Sequence, residues 1–179
     1  MLRHNQSLHT LNLNVGKLGD EGAAIIAESL TNHRSLENLN LASNDIGRDG
    51  AWKIAEAIQI STSLRSLNLG YDKSTRVLGE KPNRIGDTGC VAISEMIAVN
   101  RSLRHLDLAR NEIANPGAAL VLQSIKSNDQ ITSIVLGRGV SRAITRQLSA
   151  LLLQNESRHG AYQPRDWQDI VAIRSVYRS

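Results

Sequence analysis

A seven-residue motif recurs five times along the 179 residues of the chain. Its best-preserved form is Ser-Leu, two variable residues, Leu, one polar residue and Leu, and the copies begin at residues 7, 35, 63, 102 and 130. The starts are evenly spaced except in the third unit, which is longer than the others because it carries an insertion at positions 72–82. A motif that recurs at a fixed spacing of this kind predicts a solenoid, because a single unit cannot bury its apolar side alone. Stacking of successive units buries it.

Each unit is predicted to contain a strand, a turn and a helix. In the first unit Leu11 and Leu13 alternate with polar residues, the period of two expected for a strand with one buried face. The turn carries an asparagine in the middle units and a glycine, Gly16 or Gly139, in the first and last. Apolar residues then follow at helical spacing, after an aspartate such as Asp20 that is placed to cap free N–H groups at the helix start.

This unit resembles the leucine-rich repeat of the ribonuclease-inhibitor type, in which a strand, an asparagine-containing turn and a full α-helix follow one another. The resemblance covers about residues 7–155, with five copies in register. It implies an α/β horseshoe with parallel strands on the concave face and α-helices on the convex face. A direct role as a ribonuclease inhibitor is not expected, because that inhibitor is acidic and rich in cysteine, whereas this chain has a net charge of +4 and one cysteine.

Both ends depart from the repeat. Residues 1–6 align with the end of a preceding repeat helix, and no polar cap protects the first strand, so we expect a longer array or self-association through this end. Residues 156–179 are predicted to form a connector and then a capping helix from Pro164 to about Tyr177. Trp167 and Tyr177 lie on one face of that helix, so it is alternatively a helix that docks a partner.

Composition limits the setting of the chain. No apolar stretch approaches the roughly 18 residues of a membrane span, so no membrane association is expected. The first residues lack the apolar core of a secretory signal, and a single cysteine cannot form an intramolecular disulfide. The sequence therefore predicts an intracellular, cytoplasmic protein.

No arrangement of residues predicts catalysis. The five histidines follow the repeat spacing and lack a metal-binding pattern beside them. Cys90 occupies a helix position that is alanine in other units, such as Ala51, which predicts a small buried residue and not a nucleophile. We therefore expect no enzyme activity, no metal, no cofactor and no small-molecule substrate.

Two surfaces are candidates for binding a protein. The concave face is predicted to be small and polar, and its asparagines are either contact residues or mainly structural; the candidates are Asn12, Asn40, Asn68, His105 and Asp107. The rim carries the insertion, and insertions between strand and helix project at one edge of a solenoid. The rim candidates are Tyr71, Lys73, Arg76, Lys81, Arg84, Arg110 and Arg138. They predict a basic edge that fits an acidic partner, unless the insertion is only a tolerated loop.

The leading function is a non-catalytic protein–protein interaction module or scaffold. The alternative is a regulator acting in trans, because activators of the nuclear-transport GTPase Ran have similar repeats and contact it through the rim; Arg76 is the residue to test. Nucleic-acid binding through the basic C-terminal end is third, because residues 138–179 carry a net charge of +4 but no recognised motif.

Overall fold

The computed structural model describes residues 5–162. Five short strands alternate with helices along this range, as the repeat predicts. The strands are β1 Thr10–Asn12, β2 Asn38–Asn40, β3 Ser66–Asn68, β4 His105–Asp107 and β5 Ser133–Val135. The helices are α1 Gly19–Leu30, α2 Arg48–Gln59, α3 Thr75–Leu78, α4 Gly86–Val99, α5 Asn115–Ile125 and α6 Arg142–His159. The short helix α3 lies within the insertion.

The strands form one parallel sheet in the order β1-β2-β3-β4-β5, and α1, α2, α4, α5 and α6 pack side by side against it. The register pairs the central residue of each strand with the equivalent residue of the next unit, so the insertion does not shift the ladder. These central residues are Leu11, Leu39, Leu67, Leu106 and Ile134. The predicted α/β solenoid of leucine-rich-repeat type is confirmed.

The core is a continuous layer of aliphatic side chains between the sheet and the helices. Leu39, Leu67 and Leu106 are fully buried beneath their strands, and Ile54 and Ile93 are fully buried on the facing sides of α2 and α4. The first unit is less covered, since Leu11 and Leu13 are only partly buried. Each inner layer therefore depends on both neighbouring repeats for its burial.

The turn asparagine connects two successive repeats. Asn83 is 1% exposed, and its Oδ1 accepts hydrogen bonds from Asn44 N (2.9 Å) and Ile46 N (3.0 Å) of the preceding turn. Its Nδ2 donates to Leu41 O and Leu69 O, each at 2.9 Å. The side chain thus satisfies buried backbone groups that no strand partner reaches.

A second set of polar residues performs the same task where each helix leads into the next strand. Asn100 Oδ1 accepts from Ser102 N and Leu103 N, while its Nδ2 donates to Ile58 O (2.6 Å) and Ser61 O (3.0 Å) of the preceding unit. Asn128 repeats this pattern one unit later. The sequence analysis assigned no role to these residues, although their spacing is that of the repeat.

The aspartates near the helix starts cap a different helix from the one predicted. Asp20 Oδ1 accepts from Gly47 N (2.6 Å) and Gly50 N (3.0 Å), which belong to the start of α2, not to α1. Asp87 likewise accepts from Ala114 N and Gly117 N at the start of α5. A carboxylate between two adjacent helix starts satisfies the free donors of the next repeat, so the cap also holds the two units together.

The C-terminal boundary of the last unit was predicted wrongly. The connector was expected from residue 156, but α6 continues to His159. The reason is Asn155, a buried residue whose Nδ2 donates to Asn128 O and Ile131 O, both at 2.9 Å, which holds the end of α6 against the fifth strand. The predicted capping helix, with Trp167 and Tyr177, and residues 1–4 lie outside the described residues.

Substituting the turn asparagine of the third unit is expected to destabilise the fold. Asn83→Ala leaves buried donors and acceptors of two repeats without partners, so we expect a loss of about 3 kcal/mol or more in the free energy of unfolding. Urea denaturation measures it, with the exposed Asn32→Ala as the matched control. A loss below about 1 kcal/mol would contradict the role assigned to Asn83.

His33 stands where later units have Asn100 and Asn128, and it is 5% exposed. Its Nδ1 accepts from Leu36 N, and its Nε2 has no hydrogen-bond partner among the described residues. Burial lowers the pKa of His33, so the unfolded chain takes up a proton first as the pH falls.

Stability is therefore expected to fall as the pH drops below about 6.5, the usual histidine pKa. His33→Asn keeps an acceptor for Leu36 N and is expected to flatten this dependence between pH 7.5 and 5.5 in urea titrations. Equal slopes for the two proteins would show that His33 is not the group responsible.

Candidate partner-binding surface

The insertion is held against the first two repeats by buried hydrogen bonds. Asp72 N donates to Ser43 Oγ (2.9 Å), and Thr75 Oγ1 donates to the same oxygen. Ser43 and Thr75 are at most 1% exposed. Asn14 Nδ2 also donates to the carboxylate of Asp72. The insertion therefore has a defined position on the rim and is not a free excursion of the chain.

Ion pairs fasten the second half of the insertion. Lys81 Nζ lies 3.2 Å from Asp45 Oδ2, and Arg84 lies 2.6 Å from Asp45 Oδ1. Lys17 Nζ lies 3.2 Å from Glu80 Oε1. Two of the predicted rim cations thus already have an anionic partner. Asp45 was not predicted to contact the rim cations, because it belongs to the second repeat and is close to the insertion only in the fold.

The tip of the insertion presents apolar side chains to solvent. Val77 is 86% exposed and Leu78 is 61% exposed, while the neighbouring Arg76 and Lys73 are also exposed. Gly79 ends α3 with a φ of 69°, a left-handed conformation that returns the chain to the rim. We call Arg76, Val77 and Leu78 the insertion tip. Val77 and Leu78 were not predicted as site residues. They follow no repeat spacing, and this is the sequence signal that could have distinguished them from core residues.

A second group of rim residues meets at the other side of the insertion. The guanidinium carbon of Arg110 lies 4.7 Å from the centre of the Tyr71 ring, a distance typical of a cation–π contact. Arg138, Pro82 and Glu112 line the same open cavity. We call Tyr71, Arg110 and Arg138 the rim cluster. Lys81 and Arg84 were predicted to share this edge, but they pair with Asp45 instead.

The concave asparagines have a structural task. In the central row, the side-chain oxygen accepts a hydrogen bond from the backbone N–H two residues later, which shapes the chain as it leaves each strand. The members of this row are Asn12, Asn40, Asn68 and Asp107. This geometry favours the structural alternative for the row.

Near the fourth strand the concave face carries two ionisable groups. His105 Nδ1 lies 3.0 Å from Ser133 Oγ, and burial lowers the pKa of His105. Burial raises the pKa of Asp107, against the hydrogen bond from Ala109 N. Both shifts favour the uncharged forms. Further along the face, Tyr162 donates from its hydroxyl to Asn38 Oδ1 at 2.8 Å, a long-range contact that the repeat pattern did not predict.

The described part of the chain offers little for catalysis or for metal binding. Cys90 is fully buried. Burial, and to a smaller extent the negative charge of Asp87, raises the pKa of the Cys90 thiol to about 12, so the thiol stays protonated. Within residues 5–162, no three histidine, cysteine, aspartate or glutamate side chains are grouped closely enough to hold a metal ion. Over the same range no helix is long and apolar enough to cross a bilayer.

Comparisons with known proteins agree with this architecture. A family model described as Leucine Rich repeat matches residues 4–27, 32–55 and 99–122. A comparison with curated proteins finds no match.

Among solved structures, one similar chain is titled leiomodin-1 actin-binding site 2, with a TM-score of 0.74, 16% identity and coverage of 88% of this chain and 87% of that one. Another is the tropomodulin C-terminal domain of Caenorhabditis elegans, with a TM-score of 0.73, 20% identity and coverage of 88% and 90%. At these identities the likeness concerns the fold. The recurring sequence motif, the parallel sheet and the matched family model lead to one conclusion: the described chain folds as a leucine-rich-repeat solenoid, with units consistent with the ribonuclease-inhibitor type.

Proposed function

We propose that the chain is a non-catalytic protein-interaction module that binds a partner through its rim, with the insertion tip as the apolar anchor. The observation that carries this proposal is the exposure of Val77 and Leu78, 86% and 61%, on a segment whose base is buried. Two adjacent apolar side chains held out to solvent by a fixed support offer apolar area that a partner can bury. The ribonuclease-inhibitor-like repeats serve as the scaffold.

The anchoring of the insertion matters for affinity. A loop that becomes ordered on binding loses conformational entropy, which reduces the affinity. Here the hydrogen bonds to Ser43 and the ion pair of Lys81 with Asp45 already hold the loop in the free protein. Burying one large aliphatic side chain then contributes about 1.5–3 kcal/mol, which corresponds to roughly a tenfold to hundredfold change in affinity.

The concave face supports this choice by contrast. The side-chain oxygens of Asn40 and Asn68 are already engaged with the backbone, so they offer fewer groups to a partner. Within the described rim, Lys81 and Arg84 are paired, which leaves the insertion tip and the rim cluster as the surfaces with unused binding capacity. A single buried cysteine suits a reducing, intracellular setting.

Substituting the insertion tip tests the proposal, and Leu78→Asp places a charge on its apolar surface. We expect at least a tenfold lower recovery of the principal partner in affinity capture from the source organism, followed by quantitative mass spectrometry and by titration of the purified pair. The matched control is Leu153→Asp on α6, since Leu153 is 64% exposed and Leu78 is 61% exposed. The control is expected to recover the partner within twofold of the unmodified protein.

Point substitutions are preferable to deleting residues 72–82, because the deletion also removes the contacts that Ser43 and Asp45 make. Purified actin is the first defined protein to titrate, because the leiomodin-1 structure is titled an actin-binding site. If Leu78→Asp and Val77→Asp each recover as much partner as the unmodified protein, the insertion tip is not the anchor.

A further inference from the structure

Some of the rim cations have an anionic partner among the described residues and others do not. Lys81 and Arg84 pair with Asp45, and Lys17 pairs with Glu80. Arg110 and Arg138 form no ion pair with any residue between 5 and 162, and both are exposed. Among the described residues, no carboxylate lies within ion-pair distance of either arginine.

Arg110 is held in place by an aromatic ring. Its guanidinium carbon lies over the Tyr71 ring, 4.7 Å from the ring centre. A cation–π contact of this kind forms no hydrogen bond, so the N–H donors remain available for an acceptor in fork geometry. A guanidinium restricted in this way loses less side-chain entropy when it binds a carboxylate.

The repeat places the second arginine beside the first. Arg110 and Arg138 are separated by one repeat period and occupy the same turn position in successive units. Neighbouring strands lie about 4.8 Å apart, so the two backbones leave the sheet side by side. Gly137, directly before Arg138, lies so close to Arg110 that a Cβ on it would be 3.4 Å from Arg110 N. Both side chains line one cavity, where like charges repel and an anion bound by both interacts favourably with each.

Glu112 determines which anion fits. It lines the same cavity as Arg110, Arg138, Tyr71 and Pro82, so the cavity carries two positive charges and one negative charge. A carboxylate with one negative charge balances this set. A phosphate group carries about −1.5 to −2 and would leave the set with a net negative charge.

We propose that Tyr71, Arg110 and Arg138 form a receptor for an aspartate or glutamate side chain of an acidic polypeptide segment. The inference rests on the proposed function in that the partner is a protein, and it adds the chemistry of the segment that the rim cluster receives. The insertion tip and the rim cluster then bind different parts of one partner, an apolar part and an acidic part.

The test uses the purified full chain and a defined probe, an N-acetylated peptide of six glutamates, with a peptide of six glutamines as the neutral comparison. Binding is followed by NMR through the Tyr71 ring and the arginine side-chain N–H signals, at two salt concentrations. Arg110→Gln and Arg138→Gln are each expected to weaken binding of the glutamate peptide at least fivefold. Arg146→Gln, an exposed arginine on α6, is the matched control and is expected to change it less than twofold.

Tyr71→Leu removes the stacking partner but keeps both charges, so a smaller loss than that of Arg110→Gln is expected. Binding of the glutamate peptide is expected to weaken as the salt concentration rises. The proposal is overturned if the glutamine peptide binds equally well, or if inorganic phosphate or a single-stranded RNA displaces the glutamate peptide at equal concentration. It is also overturned if the NMR signals of Tyr71, Arg110 and Arg138 do not change when the glutamate peptide binds.

Leu78→Asp separates this inference from the proposed function. The glutamate peptide lacks apolar side chains, and Leu78→Asp adds one negative charge outside the rim cluster, so its affinity is expected to fall less than with Arg110→Gln. If Leu78→Asp leaves partner capture intact while the arginine variants lose the peptide, the insertion tip fails and the rim cluster stands. If Leu78→Asp abolishes partner capture while the arginine variants bind the peptide normally, the rim cluster fails alone.

Discussion

In each inner turn of the solenoid, the buried amide of one asparagine joins the end of a strand to the turn of the preceding repeat. Asn83 does this with four hydrogen bonds, although the insertion separates it from Leu69, the residue whose carbonyl it binds. The chain therefore leaves the repeat after β3 and returns to the same backbone positions only when the insertion is complete. The position of the insertion on the rim follows from this, because one end joins β3 and the other end joins the turn that begins at Asn83.

The turn also sets the backbone of the residues that flank its asparagine. Ser43 and Asp45 have φ values of 55° and 56°, and Arg110 and Glu112 have 58° and 57°. Residues other than glycine adopt this left-handed region at some cost, which the buried asparagine between them offsets. The same four residues supply the anchor of the insertion, its ion-pair partner and two groups at the rim cluster. Backbone strain thus occurs at the same rim residues that support the two proposed binding sites.

Much of this fold is predictable from the sequence, because a constant repeat period states where each strand lies and which leucine it buries. Contacts that cross between repeats were harder to predict. Asp20 appeared to cap α1, but it caps α2, since a carboxylate at a helix start lies equally close to the next unit in a stack. The basic edge was predicted from seven residues, yet Asp45 neutralises part of it, and that pairing depends on how the insertion folds back.

An anchored insertion is the central claim, and amide hydrogen exchange of the free protein measures it most directly. Asp72 N donates to the fully buried Ser43, and Glu80 N donates to Thr75 O, so both amides are expected to exchange far more slowly than an unstructured loop. Ser43→Ala is expected to speed exchange at Asp72 while leaving Ile46 N, which donates to Asn83 Oδ1, protected. Exchange at the rate of an unprotected peptide for Asp72 and Glu80, with the repeat turns still protected, would show a mobile loop and contradict the account.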